Sequence, residues 1–188
     1  NGRSILKSYT FQNNRYMIDY KIDFEGLDNV IADKRYFLSA PNGMASTEER
    51  VKEDMQYAKA AVYSNENIED GYKTNEKVYK ESGQIEWTAV RTKYFAIYIV
   101  PEKETSESVT IQGFEDPVAN KDTNLKRYTI TMHMPYLGDE TTEPSFNLYL
   151  GPLEFDTLKK YDRGFEDFMD FGWSFIKPFS KFILSLFK

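Results

Sequence analysis

The chain has 188 residues, a net charge of −6 from 24 Lys plus Arg against 30 Asp plus Glu, and no cysteine. That length suits one domain with a core large enough to fold without disulfides or metals. An acidic chain without a basic tract gains no affinity from phosphate counterion release, which excludes nucleic acid as a partner. The lack of cysteine excludes disulfides, thiolate nucleophiles and Cys-ligated zinc, and it fits an oxidising compartment.

Aromatic residues make up 16% of the chain, with 14 Tyr and 14 Phe, and they fall in alternating stretches that favour pleated strands over a helical bundle. Tyr16, Ile18, Tyr20, Ile22 and Phe24 alternate with Asp19, Lys21, Asp23 and Glu25, the pattern of a half-buried antiparallel strand. Ser8 to Phe11 reads as its hairpin partner across the turn residues Asn13 and Asn14. Short strands are expected around Lys34 to Ser39 and Ala60 to Tyr63. Residues 46–59 read as a short capped helix or a long loop, and 65–77 as a loop.

The strongest strand signal runs from Gln84 to Pro101. Ile85, Trp87 and Ala89 are followed by a break at Thr92-Lys93, then by the nearly continuous apolar run Tyr94 to Val100, which suits a strand buried on both faces. Pro101 closes it, since proline cannot donate to the ladder. Ser108 to Gln112 and Lys126 to Met134 follow as strands, the second with Tyr128, Ile130, Met132 and Met134 on one face. Phe146, Leu148 and Leu150 mark the last strand, which stops at Gly151-Pro152. Leu153 to Tyr161 has helical spacing, and Gly164 ends it. The pattern predicts about nine to eleven strands and then two helices, a mainly β fold.

Little in this pattern carries chemistry. His133 is the only histidine. It lies on the strand face opposite Ile130 and Met132 with no adjacent nucleophile or orienting signature, and it reads as a surface or interstrand residue. With one His and no Cys, a metal centre would rest on carboxylates almost alone. The acidic groups Glu48, Glu49, Glu53, Asp54 and Glu166, Asp167, Asp170 lack the spacing of a calcium loop and read as solvated faces. Trp87, Tyr94, Phe95 and Tyr98 could stack sugar rings, but their alternation in the central strands argues for core. No catalytic residue, metal or cofactor is expected, and the chain reads as a non-enzyme.

The C-terminal tail is different. Over residues 174–188, Phe175, Ile176, Phe179, Phe182, Ile183, Leu186 and Phe187 fall within an arc of roughly 140° at about 100° per residue. Lys177, Lys181 and Lys188 lie opposite, and Leu184 is the exception on the polar side. Such a helix either packs on the sheet or lies on a membrane surface with its lysines toward anionic headgroups. Trp173 suits an interfacial position, and Pro178 suits the first turn of the helix. No run of about 18 apolar residues spans a bilayer. The chain starts mid-pattern at Asn1 and stops inside an apolar helix at Lys188, and we expect a fragment of a longer protein.

Tyr149-Leu150-Gly151-Pro152, followed by Met169-Asp170-Phe171-Gly172-Trp173 and then Ile176-Lys177-Pro178, resembles the end of the large extracytoplasmic domain of the YidC/Oxa/Alb family of membrane protein insertases. Glu86-Trp87, Lys93-Tyr94-Phe95-Ala96 and Val100-Pro101 are similar to that family's central strand pair. The family motif maps onto Gly151, Pro152, Asp170, Gly172, Trp173 and Pro178. The resemblance covers most of the chain and is weak over 32–80.

This resemblance implies an antiparallel β-supersandwich, related in shape to galactose mutarotase, over 1–151, with a membrane-proximal helical segment over 152–188. It also implies that the first part of the family's domain is missing here. The implied role is a non-catalytic scaffold and interaction domain on the periplasmic side of a bacterial inner membrane. The implied partners are the membrane surface, Sec translocon components and, through the full-length protein, nascent inner-membrane proteins. The alternatives are a carbohydrate-binding or mutarotase-like module, against which the single histidine speaks, and a secreted lipid-interacting domain.

Overall fold

From Ser4 to Pro152 the chain is mostly strand, and among the described residues every pairing is antiparallel. The computed structural model describes residues 2–46, 48–117, 124–138 and 143–169. The strands are β1 (Ser4–Phe11), β2 (Met17–Glu25), β3 (Arg35–Ala40), β4 (Lys59–Ser64), β5 (Asn67–Glu69), β6 (Val78–Arg91), β7 (Phe95–Pro101), β8 (Ser106–Pro117), β9 (Asn124–Pro135) and β10 (Ser145–Pro152). One short helix, α1 (Val51–Met55), precedes β4. The hairpin between β1 and β2 turns through Asn14, at φ +58°, a left-handed conformation that asparagine tolerates.

The strand order is β1-β2-β10-β7-β6-β8-β9-β3, with β4 on the other flank of β6 and β5 beside β4. β6 is long enough to pair with β7 and β8 in turn while β4 pairs with its other flank. Its residues 88–91 pair with β7, and its residues 78–85 pair with β8. A register break between Ser82 and Ile85 separates the halves, and Gly83 sits there at φ +135°, which only glycine adopts easily. From β6 the ladders diverge, β7-β10-β2-β1 to one side and β8-β9-β3 to the other. Their inner faces meet as a sandwich: Phe24 of β2 lies 5.2 Å from the ring of Tyr36 on β3 and 5.4 Å from Tyr136. The core between them includes Tyr20, Ile22, Ile85, Val90, Ile99, Val109, Ile111, Ile130, Met132, Met134 and Phe146.

A second apolar layer lies on the other face of β4, β6, β7 and β10. Tyr63 stacks on Trp87 at 5.1 Å, Trp87 meets Tyr98 edge-on at 5.2 Å, and Tyr98 meets Tyr149 at 5.7 Å. Central β7 is therefore buried on both faces, as its unbroken apolar run predicts, with Ile97 and Ile99 on one side and Ala96, Tyr98 and Val100 on the other.

Several expectations need correction. Tyr94 and Phe95 are not core: they are 46% and 41% exposed, because the chain turns between β6 and β7 at 92–94 and Phe95 opens β7 at its end. Tyr16 does not continue the stripe of β2; it precedes the strand, and its ring swings to within 6.1 Å of Tyr149. Residues 65–77 are not all loop, since β5 pairs with β4 there. Leu150 shares a strand face with buried Phe146, in unbroken register, but is itself 43% exposed.

The chain divides into two compact units, Asn1–Pro152 and Leu153–Lys188. In the second, α2 (Phe155–Lys159) is shorter than its pattern suggests. The Leu158 N–H donates to the Glu154 carbonyl at 2.9 Å, and Gly164, at φ +69°, leads into a 3-10 turn, Phe165–Phe168.

Trp87 is 1% exposed and holds Tyr63 and Tyr98. Trp87→Ala is expected to lower stability by about 3–5 kcal/mol, read from denaturant midpoints; an unchanged midpoint would contradict this packing.

Candidate functional site

The row of rings that crosses the second layer ends at Gly151 and Pro152, the only family-motif positions among the described residues. β10 places Gly151 opposite Ala96 of β7 and Pro152 opposite Phe95. The Leu150 N–H donates to the Tyr16 carbonyl at 3.0 Å, which brings Tyr16 over the strand end. A Cβ on Gly151 would lie 2.7 Å from Cγ of Tyr16 and 2.9 Å from Cζ of Tyr149. Glycine is thus required by close approach and not by backbone angle. The Tyr149 hydroxyl donates to the Pro152 carbonyl at 2.6 Å and ties down the last residue of the strand.

Beside this strand end lies a hollow of about 370 Å³ lined by Tyr16, Met44, Phe95, Ile97, Leu150 and Pro152 together with Ala96 and Gly151. Apart from the Tyr16 phenol, its walls carry no ionisable side chain. It can take up an apolar group, but it holds no acid-base pair. The hollow explains the exposure of Phe95 and Leu150, which form its rim.

A second, polar hollow of about 330 Å³ gathers Glu48, Glu49, Arg50, Glu53, Asp54, Lys93 and Tyr94. This acidic group is not simply a solvated face. Asp54 is 2% exposed, and its carboxylate accepts the backbone N–H of Lys93 at 2.9 Å, fastening α1 to the turn between β6 and β7. Glu53 pairs with Arg50 at 3.1 Å and reaches Lys93 Nζ at 3.9 Å. A nucleophilic lysine needs a depressed pKa. That of Lys93 is raised, chiefly by its hydrogen bond with Tyr94 and further by Glu53. The cluster therefore reads as a fastening. Among the described residues, no group of three or more His, Cys, Asp or Glu side chains could hold a metal ion.

His133 lies on β9 with its ring 4.9 Å edge-on from Phe37 and Nε2 3.3 Å from the Thr110 hydroxyl. Its pKa is lowered, mainly by burial and then by Lys80 and Arg35. Trp87 and Tyr98, 1% and 0% exposed, cannot stack on a sugar.

The tail residues Trp173, Phe175, Ile176, Phe179, Phe182, Ile183, Leu186 and Phe187, the lysines 177, 181 and 188, and Asp170, Gly172 and Pro178 of the motif lie outside the described residues. Among the described residues, no helix is long and apolar enough to cross a membrane. Sequence reasoning found the strand end at Gly151 but missed Tyr16 and Met44. Their approach depends on strand order, which local patterning does not encode.

Residues 1–185 match the family model described as the YidC periplasmic domain. Among curated proteins, the chain is 31% identical over 189 residues to the membrane protein insertase YidC of Chlorobaculum parvum, covering 97% of this chain and 31% of that protein. The corresponding protein of Chlorobaculum tepidum is 30% identical over 97% of this chain and 31% of its own length. That of Chloroherpeton thalassium is 29% identical over 97% and 32%. The chain thus spans about a third of the length of the curated relatives it matches.

Gly151→Ala forces a methyl group against Tyr16 and is expected to destabilise the fold by about 1–3 kcal/mol, measured by thermal unfolding. A wild-type melting temperature would show that Tyr16 does not pack there. His133 has a folded-state pKa below its unfolded value, so protons favour the unfolded chain. Its contribution is present above about pH 6.5 and is lost as the pH falls through the lowered folded-state value. Relative to His133→Gln, the unmodified chain is expected to lose stability across that window; parallel stability-pH curves would refute the assignment.

Proposed function

The chain belongs to the YidC periplasmic domain family, and on that premise we propose that it is the non-catalytic, membrane-adjacent domain of an inner-membrane protein insertase, placed on the periplasmic side. The relatives that it matches along nearly its whole length are membrane protein insertases by name. The insertion step itself is assigned to the rest of such a protein. In this reading the β-rich body, 1–151, is a scaffold, and the segment 152–188 carries the chain to the bilayer.

The single observation that carries the reading is the tail pattern. Phe175, Ile176, Phe179, Phe182, Ile183, Leu186 and Phe187 form the membrane-facing side of an amphipathic helix, with Trp173 at the interface. Lys177, Lys181 and Lys188 face the headgroups, each worth about 1 kcal/mol near an anionic surface. Residues 174–188 contain no acid to oppose them. Sec translocon components are the proposed protein partners, and nascent inner-membrane proteins are reached through the full-length insertase. The absence of an acid-base pair in the apolar hollow, and the engaged state of Lys93 and Asp54, support a role by placement and contact.

The test is co-sedimentation with vesicles containing anionic phospholipid. The chain is expected to bind, and to bind less as salt screens the lysines. A chain ending at Met169 is expected to stay in the supernatant; equal binding by that truncated chain would overturn the proposal.

A further inference from the structure

The apolar and polar hollows share two short segments. The turn between β6 and β7 puts Tyr94 in the wall of the polar hollow and Phe95 in the wall of the apolar one. The segment between β3 and α1 likewise gives Met44 to the apolar hollow and Glu48 to the polar one. Met44 and Glu48 are four residues apart, so their Cα atoms lie within about 14 Å, the reach of an extended chain of that length. Apart from Tyr16, the walls of the apolar hollow all come from residue 44 onward, and β1 contributes none. Its volume of about 370 Å³ is near the lower end of ligand pockets and suits one or two side chains. In the polar hollow Glu48, Glu49, Glu53 and Asp54 gather with Arg50 and Lys93. Both cations are engaged, Arg50 on Glu53 at 3.1 Å and Lys93 on Glu53 at 3.9 Å, while Asp54 accepts the Lys93 N–H. Among the described residues Glu48 and Glu49 have no ion-pair partner. The apolar hollow therefore borders uncompensated negative charge.

We propose that the two hollows together bind an extended segment of another polypeptide. An apolar side chain of that segment enters the hollow beside Gly151, and a Lys or Arg about four residues away meets Glu48 and Glu49. Charge decides the occupant. An anionic phospholipid with its acyl chain in the apolar hollow would set its phosphate against two carboxylates. A peptide carries an apolar group and a cation on one chain, and separate pockets for separate side chains are how extended peptides are told apart. The site uses the β unit alone. It stands independently of the membrane placement of residues 152–188, and either can fail without the other.

The probe is a synthetic peptide of glycine and serine that carries one phenylalanine and, about four residues on, one arginine. Titrated into the full chain and followed by NMR, it is expected to bind with a Kd of about 1 mM or tighter. The amide signals of Glu48, Tyr94 and Leu150 are expected to move. Replacing the peptide's arginine by glutamate, or its phenylalanine by serine, is expected to weaken binding about tenfold. Glu48→Lys/Glu49→Lys is expected to weaken binding of the arginine peptide and to strengthen that of the glutamate peptide. That exchange of preference cannot come from a misfolded chain. Leu150→Gln, at an exposed rim position, is expected to weaken both. Signals that do not move, or that move only elsewhere in the chain, overturn the site. Equal binding of the arginine and glutamate peptides overturns the role of Glu48 and Glu49. Decyl phosphate binding at the same amides more tightly than the arginine peptide overturns the choice of a polypeptide.

Discussion

The whole β unit depends on one strand, β6, belonging to three ladders, with β4, β7 and β8. β6 spends its first half with β8 and its second with β7, and Ile85 at the changeover is opposite Ser64 on one flank and Ser106 on the other. A buried backbone donor must be paired, so a strand cannot change partners without a local break in register. Gly83 supplies that break at a backbone angle closed to residues with a side chain. Once the ladders part there, their inner faces turn toward each other. Phe24 then meets Tyr36, on a strand far from its own in the order, and Tyr136, just past the end of β9.

The same central strands carry the aromatic row toward Gly151. Trp87 on β6, Tyr98 on β7 and Tyr149 on β10 are each buried and each in ring contact with the next. The row places Tyr16 against a strand end that tolerates no side chain. The chain therefore leaves the β unit from a fixed point, with the Pro152 carbonyl held by Tyr149. The hollow beside that point is apolar, and the ionisable groups at α1 are engaged with one another and with the backbone. In our reading such a domain acts by where it holds the following segment.

Local patterning made the strands legible. Alternation in β2 and β9 and the unbroken run in β7 each map onto observed burial. Burial at the strand ends was not legible, because Phe95 and Leu150 have the same apolar character as their buried neighbours. Only the turn at 92–94 and the hollow beside Pro152 separate them. Asp54 shows the converse. In sequence it looks like one of a solvated acidic run, whereas its carboxylate is buried on a backbone N–H 39 residues away. Asymmetry of this kind comes from pairing order, which long-range contacts decide. The family motifs pointed to the end of β10, yet they could not show that Tyr16 closes over Gly151.

In the proposed reading the segment beyond Pro152 faces the membrane and the β-rich body does not. The chain has 2 tryptophans, one in each part. Quenching by lipids brominated on their acyl chains separates them in anionic vesicles. In a Trp87→Phe chain the remaining Trp173 is expected to be quenched, with its emission shifted to the blue. In a Trp173→Phe chain, buried Trp87 is expected to be unaffected. Quenching of Trp87 but not of Trp173 would contradict that placement.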